Sequence, residues 1–307
     1  MDIWRWVNEV QDELVESGRA RLSELIDVIP NAAVNHHHAE LDAAVPEALA
    51  LAREAKNPWL EVFVRHWNLQ SRILHRHEVS DFLPEAVRLI EFANRDETRE
   101  CPQSVCVTQD LAGCYAKLDG PGYAQERIDV ARETLARIDA RWPCFTCISS
   151  EYALGLVDRG DVEEALTFLD KQSAELASVG RGEASRHLAS TKIEAYFAQG
   201  RLEDALREAR RAKARSTDEN DRTSHGLDCA AALARLGQHE EALEELLPFE
   251  RVLPTHSLYA RWSEAVLALG LAGALPNDHR LDGQLFELGD RLRKNGVARL
   301  FVELEQR

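Results

Sequence analysis

The 307-residue sequence predicts an all-α fold: a single α-solenoid of about six to seven stacked helical hairpins, with helical caps at both ends. Two observations carry this. A gapless repeat recurs at near-constant spacing, and no stretch of four to eight alternating residues reads as a strand. Asp158–Leu166, Ala198–Leu206 and Arg235–Leu243 align, each with a glycine five residues before an Ala-Leu pair that two acidic residues precede.

The chemistry of that repeat is two helices joined by a tight turn. Gly160, Gly200 and Gly237 each follow an Ala- and Leu-rich stretch, where a helix commonly ends on positive φ, which glycine adopts without a Cβ penalty. The acidic pair then falls in the first turn of the next helix, at the positive end of its macrodipole. Asp161 with Glu164 fits an acidic capping box. Alanine at 165, 205 and 242 is small enough for the second helix to lie close against the first.

With that alanine as anchor, the pattern extends backwards through Ala48, Ala86 and Arg127. The anchors are then 38, 41, 38, 40 and 37 residues apart. First helices are expected near 59–76, 102–118, 143–159, 184–199, 222–236 and 255–271, and their partners near 82–95, 123–141, 161–178, 201–215, 238–250 and 280–295. Breakers such as Asn57-Pro58, Cys101-Pro102, Trp142-Pro143 and Gly180-Arg181-Gly182 punctuate the hairpins. Residues 1–34 are assigned to N-terminal capping helices, 35–250 to the repeats and 251–307 to a C-terminal hairpin and cap.

Across 143–250 the chain resembles the tetratricopeptide repeat family, whose pattern wants a small residue, a large residue, a turn glycine and an alanine in register. Ala153, Leu156, Gly160 and Ala165 fit, as do Ala230, Leu233, Gly237 and Ala242; Tyr196, Gly200, Ala205 and Ala212 fit between them. The resemblance implies a right-handed superhelix whose first helices line a concave groove for a peptide or protein segment. Two departures stand against it. The spacing exceeds the family's roughly 34 residues, and the aromatic expected early in the first helix is replaced by Ser149, Ala189 and Gly226. Carried over through the anchors, the groove would be lined by Asn68, Ser71 and His75, then Gln109, then Ser150, then His187, Ser190 and Glu194, then Ser224 and Arg235. Such a lining suits hydrogen bonding to an extended segment, and equally suits plain solvation. The lysine and asparagine set that holds a terminal carboxylate in some family members is missing.

Composition narrows the partners. A formal charge of −16 disfavours nucleic acid, since binding a polyphosphate depends on cationic side chains releasing counterions. No apolar run reaches the roughly 18 to 20 residues that span a bilayer, so no membrane partner is expected. Asp2 stands where a secretory leader wants cations, and six cysteines are too few for a disulfide scaffold; a cytoplasmic location is expected. The amphipathic ends, Ile3 to Leu14 with Trp4 and Trp6, and Val297 to Leu304, suit caps or a homodimer contact.

Chemistry-bearing clusters are few. His36-His37-His38 with Glu40 and Asp42 offers imidazole–carboxylate pairs at metal-ligand spacing; His75-Arg76-His77-Glu78 lacks the second histidine of the zinc-protease motif, with Asp81 in its place. Cys144 and Cys147 form a C-x-x-C, and Cys101 and Cys106 lie about one repeat earlier. Stacked first helices would bring these four thiols together as a zinc or redox site; otherwise they pack the core, as Cys114 and Cys229 are expected to do. No nucleophile elbow, Walker loop or dinucleotide fingerprint occurs, so the expectation is a non-enzymatic binding module without a cofactor.

Overall fold

The computed structural model describes residues 3–217 and 219–246. The hairpin expected over 255–295 and the C-terminal cap lie outside the described residues, which are helical and contain no strand. Thirteen α-helices follow one another among them: α1 Ile3–Glu16, α2 Ala20–Val34, α3 His38–Glu54, α4 Pro58–Gln70, α5 Val79–Ala93, α6 Val107–Leu118, α7 Ala124–Leu135, α8 Phe145–Arg159, α9 Val162–Ser178, α10 Arg186–Ala198, α11 Leu202–Arg215, α12 Glu219–Arg235 and α13 His239–Leu246. A π-helical turn, Ser71–His75, extends α4, and a 3₁₀ turn, Pro102–Val105, precedes α6.

Each helix packs on its successor. The even-numbered helices α2, α4, α6, α8 and α10 each also touch the next even-numbered one, up to α12. In the register of the sequence repeat, α4 falls with α5, α6 with α7, and onward to α12 with α13. Helix α2 packs on α3 and on α4, and α1 packs on α2.

Local chemistry explains the turns. Gly160, Gly200 and Gly237 have φ of 96°, 68° and 76°, in the left-handed region. At each, the glycine N–H donates to the carbonyl three residues back and the following N–H to the carbonyl five residues back, as in Asp161 N to Leu156 O at 2.8 Å. These paired bonds satisfy carbonyls that the helix end would otherwise leave bare. Gly180 closes α9 with the same bonds. The capping box does not form: the Asp161 side chain makes no cap bond and pairs with Arg159 instead. Helix α5 begins at Val79, three residues before the expected start, and carries Pro84 inside it.

The anchors all sit in the interior. Ala48, Ala86, Ala165, Ala205 and Ala242 have no exposed surface. Arg127 takes the alanine position in α7 and is 3% exposed. Its guanidinium bonds Glu151 Oε2 at 2.6 Å and Asp158 Oδ2 at 2.9 Å, both on α8. Gly155 lets α8 approach α7, since a Cβ there would lie 2.8 Å from Ile128 Cγ1. A long buried cation is tolerated because two carboxylates replace its water.

Candidate functional site

The even-numbered helices carry most of the residues singled out for a groove, and their faces differ along the chain. On α4, Trp59, Phe63 and Trp67 form an i, i+4, i+8 stripe. Helix α1 covers it: the Trp6 ring lies 5.9 Å from Trp59 and 6.0 Å from Phe63, and Trp4 lies 6.1 Å from Trp67. Trp6, Ile3, Val7, Val10 and Leu14 are buried, while Trp4 keeps 52% of its surface. Asn68 is on the opposite stripe, in line with Glu61 and Arg65, which pair with Arg53 of α3 and Glu85 of α5. It therefore does not share the face of α4 that the rings occupy.

Ser71 and His75 also leave the expected line. Ser71 is fully buried, 3.3 Å from His38 Nδ1. His75 stacks edge-on against His36, with ring centroids 4.4 Å apart, and His38 lies 5.8 Å from His36. Ser71, four residues after Trp67, continues the covered stripe of α4; the π turn, closed by Arg76 N to Ser71 O at 3.0 Å, then rotates His75 off the α-helical count. Burial pushes the His75 imidazole down to about 4, helped by His36, His38 and Lys117. His38 is lowered too, chiefly by burial. The expected His38–Asp42 partnership is replaced by Arg72 and Arg76, each 2.8 Å from Asp42 Oδ1, and their guanidinium groups hold the Asp42 carboxyl below its ordinary value. His77, in left-handed conformation, meets Lys117 through Nδ1 at 3.1 Å.

From α8 onward the arrangement opens. Thr191 Oγ1 of α10 donates to Ser150 Oγ of α8 at 2.8 Å, and Arg235 of α12 lies over the Phe197 ring of α10 at 4.2 Å. At 3.6 residues per turn, His187, Ser190 and Glu194 occupy the stripe of α10 between Thr191 and Phe197. The far side of α10 is tied to α9 of the preceding hairpin through Lys192 and Asp170. His187 is exposed, and Ser190, Glu194, Ser150, Gln109 and Ser224 are partly so. These side chains give a polar strip with donors and acceptors along the even helices.

Between the two regions lies a buried polar knot that spacing did not suggest. His66 of α4 bonds Asp110 of α6 across 44 residues of sequence, Nδ1 to Oδ2 at 2.7 Å, with 2% and 0% of their side chains exposed. Asp110 Oδ1 has no partner, and burial raises its pKa in spite of the histidine. Beside it are two of the singled-out thiols. Cys106 precedes α6 and Cys144 precedes α8, and Cys144 packs against the apolar cluster that holds Cys106. The neighbouring Cys106 thiol lowers the Cys144 pKa, with the positive fields of His66 and Arg181 adding to it against burial. Arg181 is fixed there by the carbonyls of Ala140 and Trp142 at 2.7 and 2.6 Å. Cys101 is elsewhere, its Sγ 3.8 Å from Trp59 O, and burial pushes Cys101 and Cys147 up to about 12. The four thiols thus do not form one tetrahedral set, and among the described residues no group of three or more His, Cys, Asp or Glu is placed to hold a metal ion. Cys114 and Cys229 are fully buried, as expected. Among the described residues no helix is long and apolar enough to cross a membrane.

A scan against protein-family models gives no match to this chain, and a search of curated proteins finds none similar.

Proposed function

We propose that the chain is a right-handed α-solenoid of the tetratricopeptide type, and that it binds an extended protein or peptide segment along its even-numbered helices from α6 to α12. The supporting observation is the contrast in cover: the aromatic stripe of α4 has α1 seated on it, whereas α8 and α10 present Ser150, His187, Ser190 and Glu194 partly open to solvent. Side chains of this kind hydrogen-bond the backbone of an extended segment without demanding a particular sequence. The net charge of −16 favours a neutral or basic segment over an acidic one. No catalytic step is assigned to this strip.

The test is a peptide array followed by calorimetry on the hits. Glu194→Ala and Ser190→Ala should each weaken the strongest peptides about tenfold, the cost of one charge-assisted or neutral hydrogen bond left unmade. Asn68→Ala should leave affinity unchanged. Peptides that bind equally well to all three variants would remove the strip from consideration.

A further inference from the structure

The buried knot between α4, α6 and α8 holds a feature that segment binding does not use. Cys106 and Cys144 stand at the starts of two neighbouring helices, α6 and α8, which pack on one another. Cys144 is partly exposed and packs against the core cluster that contains Cys106. We propose that Cys106 and Cys144 are a reversible oxidation site, which a hydroperoxide converts into a disulfide tying the start of α6 to the start of α8.

The division of labour follows from placement. Cys144 is the attacking sulfur: it is partly exposed, sits at the positive end of the α8 dipole, which favours a thiolate, and has the Arg181 guanidinium moored on its own loop. Cys106 is 7% exposed and lies in the cluster that Cys144 packs against, which suits the second, resolving step. The neighbouring C-x-x-C does not supply this chemistry, because Cys147 lies one turn into α8, where burial holds its proton.

In the first step the Cys144 thiolate attacks one oxygen of the hydroperoxide and the O–O bond breaks. The other oxygen leaves as an alcohol, or as water from hydrogen peroxide, with the proton that Cys144 had released. Cys144 is then a sulfenic acid. In the second step the Cys106 sulfur attacks the Cys144 sulfur, the S–O bond breaks, and the hydroxyl leaves as water with the Cys106 proton. Two thiols lose two electrons and the peroxide gains them. A thiol reductant reverses the result by exchange.

The experiment treats the full chain with hydrogen peroxide, caps remaining thiols with iodoacetamide and maps the digest by mass spectrometry. The expected product is a peptide pair joined through Cys106 and Cys144, with Cys101, Cys114, Cys147 and Cys229 alkylated, and full return of both thiols after dithiothreitol. Cys106→Ser should stop the reaction at a dimedone-reactive Cys144, and Cys144→Ser should slow thiol loss at least about tenfold. A Cys144–Cys147 link, modification elsewhere ahead of Cys144, or unchanged thiol loss in Cys144→Ser would each overturn the proposal. The wild-type map decides even if a variant fails to fold.

Discussion

The even-numbered helices meet solvent in two ways. Helix α4 turns Trp59, Phe63 and Trp67 outward from the hairpin, and a helix from outside the repeats lies on them; α8 and α10 turn out serine, histidine and glutamate and need no cover. One architecture thus carries an apolar face that must be buried and a polar face that need not be. Buried anchor alanines recur in both regions, whereas the turn glycines from α8 onward give way to left-handed His36, Lys56 and His77 around α3 to α5. What the inner face does is therefore decided by side chains that the repeat leaves free to vary.

The sharpest way to break this comparison is at the seam. Arg127 occupies an anchor that carries alanine in the other hairpins, so the repeat pattern alone makes Arg127→Ala harmless or stabilising. Its contacts with Glu151 and Asp158 on α8, whose side chains are 12% and 3% exposed, argue the reverse. Removing the buried cation should cost about 3 to 5 kcal/mol in urea unfolding. A neutral result would mean that the ion pair does not hold α7 to α8.

Next in size is the cover itself. Trp6→Ala should cost about 3 kcal/mol, because a large ring leaves the contact with Trp59 and Phe63. It should also shift tryptophan emission to the red while leaving peptide affinity at α8 to α12 unchanged. Equal loss of affinity would show that the two faces are not separate.

The histidine cluster gives a smaller effect that depends on pH. In the folded chain His75 lies at about 4, below the ordinary 6.5, so between these values the unfolded chain binds the extra proton. Stability should be constant above about pH 6.5 and fall as pH drops towards 4. His75→Gln should flatten that part of the urea midpoint against pH curve; an unchanged slope would assign it to other groups. The smallest effect is expected at the turns. A Cβ on Gly160 meets nothing within 4 Å, so Gly160→Ala pays only for its φ of 96°, about 1 kcal/mol by urea unfolding.

Much of the fold was legible because its signals are local. A glycine that ends a helix and an alanine that admits a close neighbour announce themselves within a few residues, and the helices they predict over 145–215 match to within a few residues. The faces were less legible. The groove register counted back from Ala86 assumed uninterrupted α-helix; the π turn over Ser71–His75 carried His75 against His36, while Ser71 stayed in line with Trp67 and reached His38. His66 and Asp110 left no trace in the pattern, because each is an ordinary polar residue until its partner arrives from 44 residues away. The C-x-x-C spacing drew attention to Cys147, but the contact belongs to Cys106.

The glycine turns have one more consequence. Gly160 and Gly200, 40 positions apart, share the same backbone conformation and the same pair of closing bonds. The stretch from Asp161 to Gly200 therefore ends in the geometry from which it starts. A tandem copy of it would join to itself through a turn the chain already makes, and bring its own second helix, Schellman glycine and first helix. Such a segment is a unit of growth: the chain can lengthen by duplication without inventing a new connection, and each added copy would bring another partly open Ser190 and Glu194.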